Sequence, residues 1–178
     1  MKKSILWPIC AIILAAAILV GLSLGLKNLA RANAEKEHLR LMQTLLPGSE
    51  NFTVEACDGE DQTIRSVHKG ETGFVIETVT AGYAGDITML VGVSAEGKVT
   101  GLRIMDMSET YGLGWTALTD GEFLAQFLNT AGDAAVGENV DAVTGATVTS
   151  KAIARSVNAA VNYVTGADTD SGATSWGG

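Results

Sequence analysis

This chain is short of the residues that hold metals. It has two cysteines and two histidines among 178 residues. An iron–sulfur cluster takes about four cysteine thiolates, and covalent haem takes a CxxCH motif, which is absent. His38 and His68 stand far apart with no cysteine beside either, so they do not read as a zinc site. Redox chemistry would therefore need an organic cofactor. Basic charge is scarce as well: beyond residue 26, ten Lys and Arg face twenty Asp and Glu. No basic stripe remains to neutralise phosphates, which excludes nucleic acid as a partner. No period of about 20–50 residues repeats, so a solenoid is excluded. Cys57 has no soluble partner for a disulfide, so the cysteine count does not tell compartments apart.

Hydrophobic residues make up 47% of the chain, and they are concentrated at one end. Ser4 to Leu26 carries no charge and is dense in Ile, Leu and Ala. About 20 such residues cross about 30 Å of hydrocarbon. The run predicts a transmembrane anchor within residues 1–27, with a short cytoplasmic start at Lys2 and Lys3. A cleaved signal peptide is the competing reading, because Ala32-Asn33-Ala34 resembles a cleavage site. Signal cores are typically about 7–15 residues, however, and this site sits behind Lys27 and Arg31. The expectation is an uncleaved single-pass protein of the cell membrane, in contact with lipid, with its acidic bulk on the extracytoplasmic side.

Residues 28–47 place Leu29, Ala32, Leu39, Met42, Leu45 and Leu46 at roughly helical spacing before Pro47-Gly48. This predicts a juxtamembrane amphipathic helix, packed on the domain or on the bilayer surface. A domain over 48–166 follows, then a Gly-, Ser- and Thr-rich tail over 167–178 that is expected to be disordered. β-like runs fall at Phe52–Cys57, Thr63–His68 and Gly73–Thr80. Ile87, Met89, Val91 and Val93 alternate onto one face, and Val99–Met107 follows a turn containing Gly97, which is a hairpin signal. Thr119-Asp120-Gly121-Glu122 has capping-box form ahead of Phe123, Leu124, Phe127 and Leu128. Ser150–Val164 puts Ile153, Val157, Ala160, Val161 and Val164 on one helical face.

The string Asp141-Ala142-Val143-Thr144-Gly145-Ala146-Thr147-Val148-Thr149-Ser150 leads into that last helix. A helix start offers free backbone N–H groups and partial positive charge to an anion. Gly145 permits positive φ and a close backbone approach, and Ala146 leaves that approach clear. Thr144, Thr147, Thr149 and Ser150 add hydroxyls. The set suits a phosphate, although a threonine-rich cap that binds nothing has the same composition.

Thr144-Gly145-Ala146-Thr147-Val148-Thr149 resembles the [S/T]-G-A-[S/T]-x-T motif of FMN-binding domains in bacterial respiratory complexes. That resemblance implies FMN linked through its phosphate to the Thr149 hydroxyl by a flavin transferase. It sets Thr144, Gly145, Ala146, Thr147 and Ser150 around the phosphate and Asp141 as an acid that the transferase recognises. A second segment, Gly82-Tyr83-Ala84-Gly85-Asp86-Ile87-Thr88-Met89-Leu90-Val91-Gly92-Val93, is similar to the G subunit of Rnf electron-transport complexes. In that family an E-T-P-G-L-G segment lines the flavin ring. Glu109-Thr110-Tyr111-Gly112-Leu113-Gly114 matches it with tyrosine in place of proline, which implies Glu109, Thr110, Gly112 and Leu113 as flavin contacts. Trp115 also departs from the usual polar residue.

The resemblance implies an α+β fold, a twisted antiparallel sheet with packed helices, preceded by the anchor. The implied function is electron transfer within an ion-translocating ferredoxin:NAD+ oxidoreductase, with the other membrane and peripheral subunits of that Rnf complex as partners and no side-chain catalysis. The C subunit of sodium-pumping NADH:quinone oxidoreductase shares these motifs but is generally longer. A non-redox anchored module holding a phosphate or other ligand is the alternative from a different class. Ser171-Gly172-Ala173-Thr174-Ser175-Trp176 repeats part of the motif, but Trp176 stands where its last threonine would be, so no flavin is expected there.

Overall fold

The computed structural model describes residues 30–57, 61–107 and 113–167. The chain divides into two units, Met1–Arg40 and Leu41–Gly178. The predicted anchor within 1–27 and the tail over 168–178 lie outside the described residues. Among the described residues no helix is long and apolar enough to cross a membrane. In the first unit, residues 30–40 are helical and largely exposed. The α1 helix is described over residues 30–45, and its last turn belongs to the second unit.

The second unit is built on five antiparallel strands in the order of the chain: β1 (Thr53–Glu55), β2 (Ile64–Lys69), β3 (Gly73–Ala81), β4 (Asp86–Ser94) and β5 (Val99–Met107). Sequential antiparallel pairing needs only short connections, which the glycine-bearing turns supply. Gly97, for example, sits at φ 75° between β4 and β5. The expected strands are present, and the α+β class holds. Three helices follow: α2 (Leu113–Thr119), α3 (Gly121–Ala125) and α4 (Thr147–Thr165).

One sheet face packs against α4. Val67, Ile76, Ile87, Met89, Val91 and Val93 from the strands meet Ile153, Val157, Ala160 and Val161, all fully buried. The other face carries a smaller cluster, in which Met42, Leu45 and Leu46 cover Val75 and Leu90. β4 is thus buried on both sides, where simple alternation predicts one. A close backbone approach makes this possible. Gly92 and Gly101 are paired across β4 and β5, and the Leu45 backbone lies against both. The Thr100 hydroxyl donates to the Leu45 carbonyl at 2.5 Å, satisfying a carbonyl at the end of α1.

Two local expectations shift. The cap before α3 is Asp120, whose carboxylate accepts from the N–H groups of Glu122 and Phe123. Thr119 instead ends α2 and donates its hydroxyl to the Trp115 carbonyl. The last helix begins at Thr147, three residues ahead of Ser150. The threonine motif therefore forms the first turn of the helix rather than only leading into it.

Candidate functional site

The turn before α4 is closed by the Ala146 N–H donating to the Val143 carbonyl at 2.9 Å. Gly145, its third residue, has φ 81°. A type II turn needs positive φ there, which glycine adopts without a Cβ penalty. The Ser150 hydroxyl fastens this turn to the helix. It donates to the Ala146 carbonyl at 2.9 Å and accepts from the Val143 N–H at 3.3 Å.

Ala146 is the N-cap, and among the described residues no side chain caps the helix. The first intrahelical bond runs from Ser150 N–H to the Ala146 carbonyl. The N–H groups of Thr147, Val148 and Thr149 precede it and so have no helical carbonyl to bond. No acidic residue stands in the first turn to neutralise the positive end of the helix. Thr144, Gly145 and Thr147 are exposed, as is Asp141. Thr149 faces inward and is only 1% exposed. Its Oγ1 is buried with no hydrogen-bond partner among the described residues. Buried hydroxyls are ordinarily satisfied, so this one marks the turn chemically.

Several residues that the sequence did not single out hold this turn in place. The Thr80 hydroxyl on β3 donates to the Ala152 carbonyl at 3.2 Å and shares a 2.7 Å hydrogen bond with the Ser156 hydroxyl, with both groups buried. Arg155 donates to the Ala81 carbonyl at 3.3 Å. The Gln126 amide bonds both backbone groups of Asp141. A signal for the first pair was available. Thr78 and Thr80 continue the helix-facing side of β3 after Ile76, so two hydroxyls sit where alternation calls for apolar residues.

The sheet register orders the surroundings. Thr80 pairs with Ile87 and Ile87 with Met107, so β5 ends at the edge of the sheet over which the first turns of α4 lie. Of the predicted flavin-lining residues, Glu109, Thr110 and Gly112 lie outside the described residues, together with Tyr111. Leu113 is the first residue of α2. Trp115 on that helix is 40% exposed. The structure thus brings Thr144, Gly145, Ala146, Thr147, Thr149 and Ser150 into one turn. Ser150 is engaged inside that turn, and Asp141 lies at its outer approach.

An uncapped helix start with a left-handed glycine and an inward hydroxyl is suited to an anionic group, and comparison with known proteins agrees. Residues 82–162 match the FMN-binding domain family. The G subunit of the ion-translocating oxidoreductase complex of Methanosarcina acetivorans is 32% identical over 151 residues, covering 77% of this chain and 78% of the relative. The G subunit of the proton-translocating ferredoxin:NAD(+) oxidoreductase complex of Clostridium ljungdahlii is 39% identical over 99 residues, covering 52% of this chain and 53% of that one. The G subunit of the Na(+)-translocating ferredoxin:NAD(+) oxidoreductase complex of Acetobacterium woodii is 37% identical over 100 residues, or 50% of this chain and 47% of the relative. These last two alignments span about half the length of those relatives. The chain belongs to the family of ion-translocating oxidoreductase complex G subunits, with its FMN-binding domain within residues 82–162.

Proposed function

We propose that this chain is the FMN-bearing electron-transfer subunit of an ion-translocating ferredoxin:NAD+ oxidoreductase complex, with FMN joined through its phosphate to the Thr149 hydroxyl. One observation carries the residue assignment. Thr149 Oγ1 is buried without a partner among the described residues, in a first turn whose amides have no side-chain cap. A phosphate ester at that oxygen fits this donor set, because helix-start N–H groups stabilise an anion. In this reading Gly145 and Ala146 keep the backbone clear for the group, and Thr144 and Thr147, both exposed, contribute hydroxyls to the phosphate. Ser150 keeps the turn in shape through Val143 and Ala146.

When bound, FMN supplies the redox chemistry, and the protein supplies position, hydrogen bonding and exposure. A covalent tether keeps a partly exposed cofactor from being lost by dilution. In this reading Glu109, Thr110, Gly112 and Leu113 line the flavin, and Asp141 is read by the flavin transferase that attaches it. An anchor within residues 1–27 holds the domain on the extracytoplasmic side of the cell membrane, beside the other subunits of the complex.

The test is the intact mass of protein made with and without its flavin transferase. A gain matching one FMN, located to the Thr144–Lys151 peptide and absent from Thr149→Ala, is expected. An unchanged wild-type mass, or a flavin retained by Thr149→Ala, overturns the assignment. Fluorescence of the band on a denaturing gel gives the same answer more quickly.

A further inference from the structure

The Gln126 backbone N–H closes α3 on the Phe123 carbonyl at 3.2 Å, but its side chain takes no part in that helix. Gln126 is the C-cap residue of α3, a helix already started by Asp120 and seated by Phe123, with Phe127 buried just beyond. Its side chain turns instead to residue 141, fifteen positions on. Oε1 accepts from the Asp141 N–H at 2.8 Å, and Nε2 donates to the Asp141 carbonyl at 3.5 Å. One amide thus engages both backbone groups of one residue, as a neighbouring strand would. The next fastening point is the Val143 N–H on Ser150. Between Gln126 and Ser150 the chain is pinned on either side of Ala142, while the Asp141 side chain remains exposed.

We propose that Gln126 is a positioning residue for flavin attachment: it fixes the backbone of Asp141 so that the exposed carboxylate is presented in a defined direction to the transferase. The proposal rests on the reading of Thr149 as the attachment site and Asp141 as the recognised acid. In the step itself the Thr149 oxygen forms a bond to the FMN phosphorus and passes its proton to a base of the transferase. The pyrophosphate P–O bond of a flavin dinucleotide donor breaks, and the second nucleotide leaves as its monophosphate with the electron pair. Gln126 touches none of the reacting atoms. Its effect is on how often Asp141 is correctly placed when the enzyme arrives, which is a binding effect. A solvent-accessible hydrogen bond of this kind changes a local population by about two- to tenfold.

The experiment uses the full-length chain in detergent, made without flavin and then given the transferase and flavin adenine dinucleotide. Initial rates of flavin incorporation are measured against chain concentration for wild type, Gln126→Ala, Asp141→Ala and the double variant. The expected result is about a two- to tenfold rise in KM for Gln126→Ala with kcat unchanged, and no further effect of Gln126→Ala once Asp141 is alanine. An unchanged KM in Gln126→Ala, or an equal penalty in both Asp141 backgrounds, would overturn the proposal. If wild type itself takes up no flavin, the attachment reading fails first, and the two failures are told apart.

Discussion

Replacing Gly92 by alanine would put a methyl group where the last turn of α1 rests on the sheet. A Cβ there would lie 2.2 Å from the Leu45 carbonyl oxygen and 2.8 Å from both the Leu45 carbonyl carbon and Thr100 Oγ1. The first two atoms are backbone, so no rotamer change relieves the clash. Gly101, paired opposite, is an internal control. Its Cβ would meet the Leu45 Cα at 3.1 Å and the Leu45 oxygen at 3.2 Å, which a shift of a few tenths of an ångström relieves. Gly92→Ala leaves two routes. Residues 41–46 can lift away, which exposes Met42, Leu45 and Leu46 at about 1.5–3 kcal/mol for each fully buried side chain. Alternatively the segment stays and β4 and β5 deform, at about 1–3 kcal/mol for overpacking. The second route costs less, but it also weakens the Thr100–Leu45 hydrogen bond. The expected loss is about 2–3 kcal/mol for Gly92→Ala and about 1 kcal/mol or less for Gly101→Ala. Urea unfolding of the full chain in detergent, followed by far-UV circular dichroism, measures both, and limited proteolysis within 41–49 separates the two routes. A Gly92→Ala midpoint equal to wild type, or a larger loss at Gly101→Ala, would refute the steric argument.

Further expectations concern the other polar groups. Thr149→Val removes a buried hydroxyl that bonds to nothing among the described residues, so the flavin-free protein should keep its stability or gain up to about 1 kcal/mol. A clear drop in its urea midpoint would show that the hydroxyl has a partner. Ser150→Ala strips the Val143 N–H of its acceptor and should cost about 1–2 kcal/mol, with faster hydrogen exchange at the Val143 amide; unchanged exchange would count against the fastening role. Thr80→Val and Ser156→Ala share one buried hydrogen bond, so their costs should be non-additive by about 0.5–1.5 kcal/mol in a double-mutant cycle. Glu71 is held below the ordinary glutamate value of 4.5 by its own backbone N–H first and then by Asn51 and Glu50. A carboxyl depressed in the folded state stabilises above its unfolded pKa, and that contribution is lost as pH falls through the lower folded value. Glu71→Gln should therefore flatten the acid limb of stability below about pH 4.5, whereas curves that stay parallel would exclude the effect.

The strands were legible because burial writes itself into a period of two, and Ile87, Met89, Val91 and Val93 are all fully buried on one face. The burial of Leu90 on the opposite face was not legible. It depends on Leu45 and Leu46, which a glycine saddle admits from far along the chain, and no local period records such a contact. The α2 helix went unseen because Leu113–Thr119 is only seven residues long, too short to show a helical period. In the candidate site, the left-handed Gly145 and the phosphate-suited hydroxyls could be read from composition. The direction of each hydroxyl could not, because it depends on helix phase. Starting the helix at Thr147 instead of Ser150 puts Ser150 four residues after Ala146, where its hydroxyl reaches back to that carbonyl. It also turns Thr149 inward, while Thr147 and Val148 stay exposed.

Hydrogen bonding along α4 is therefore uneven, and the unevenness has a direction. Beyond the first turn, the Thr80 hydroxyl of β3 bonds both the Ser156 hydroxyl and the Ala152 carbonyl of α4. The turn that precedes it is closed by Ala146 and Val143 and fastened by Ser150. The first turn is left with amides that lack a side-chain cap and a buried hydroxyl that lacks a partner among the described residues. An unsatisfied buried polar group costs about 1–3 kcal/mol, enough to matter against a total stability of about 5–15 kcal/mol. The start of α3, by contrast, is capped by the Asp120 carboxylate. The same device is missing at α4, where Ala146 occupies the cap position and a serine or aspartate would have satisfied the amides. Such a cap would also use the donors that the proposed anion at Thr149 requires. The one turn left unsatisfied is fastened on both sides, which suits the proposed phosphate ester at Thr149.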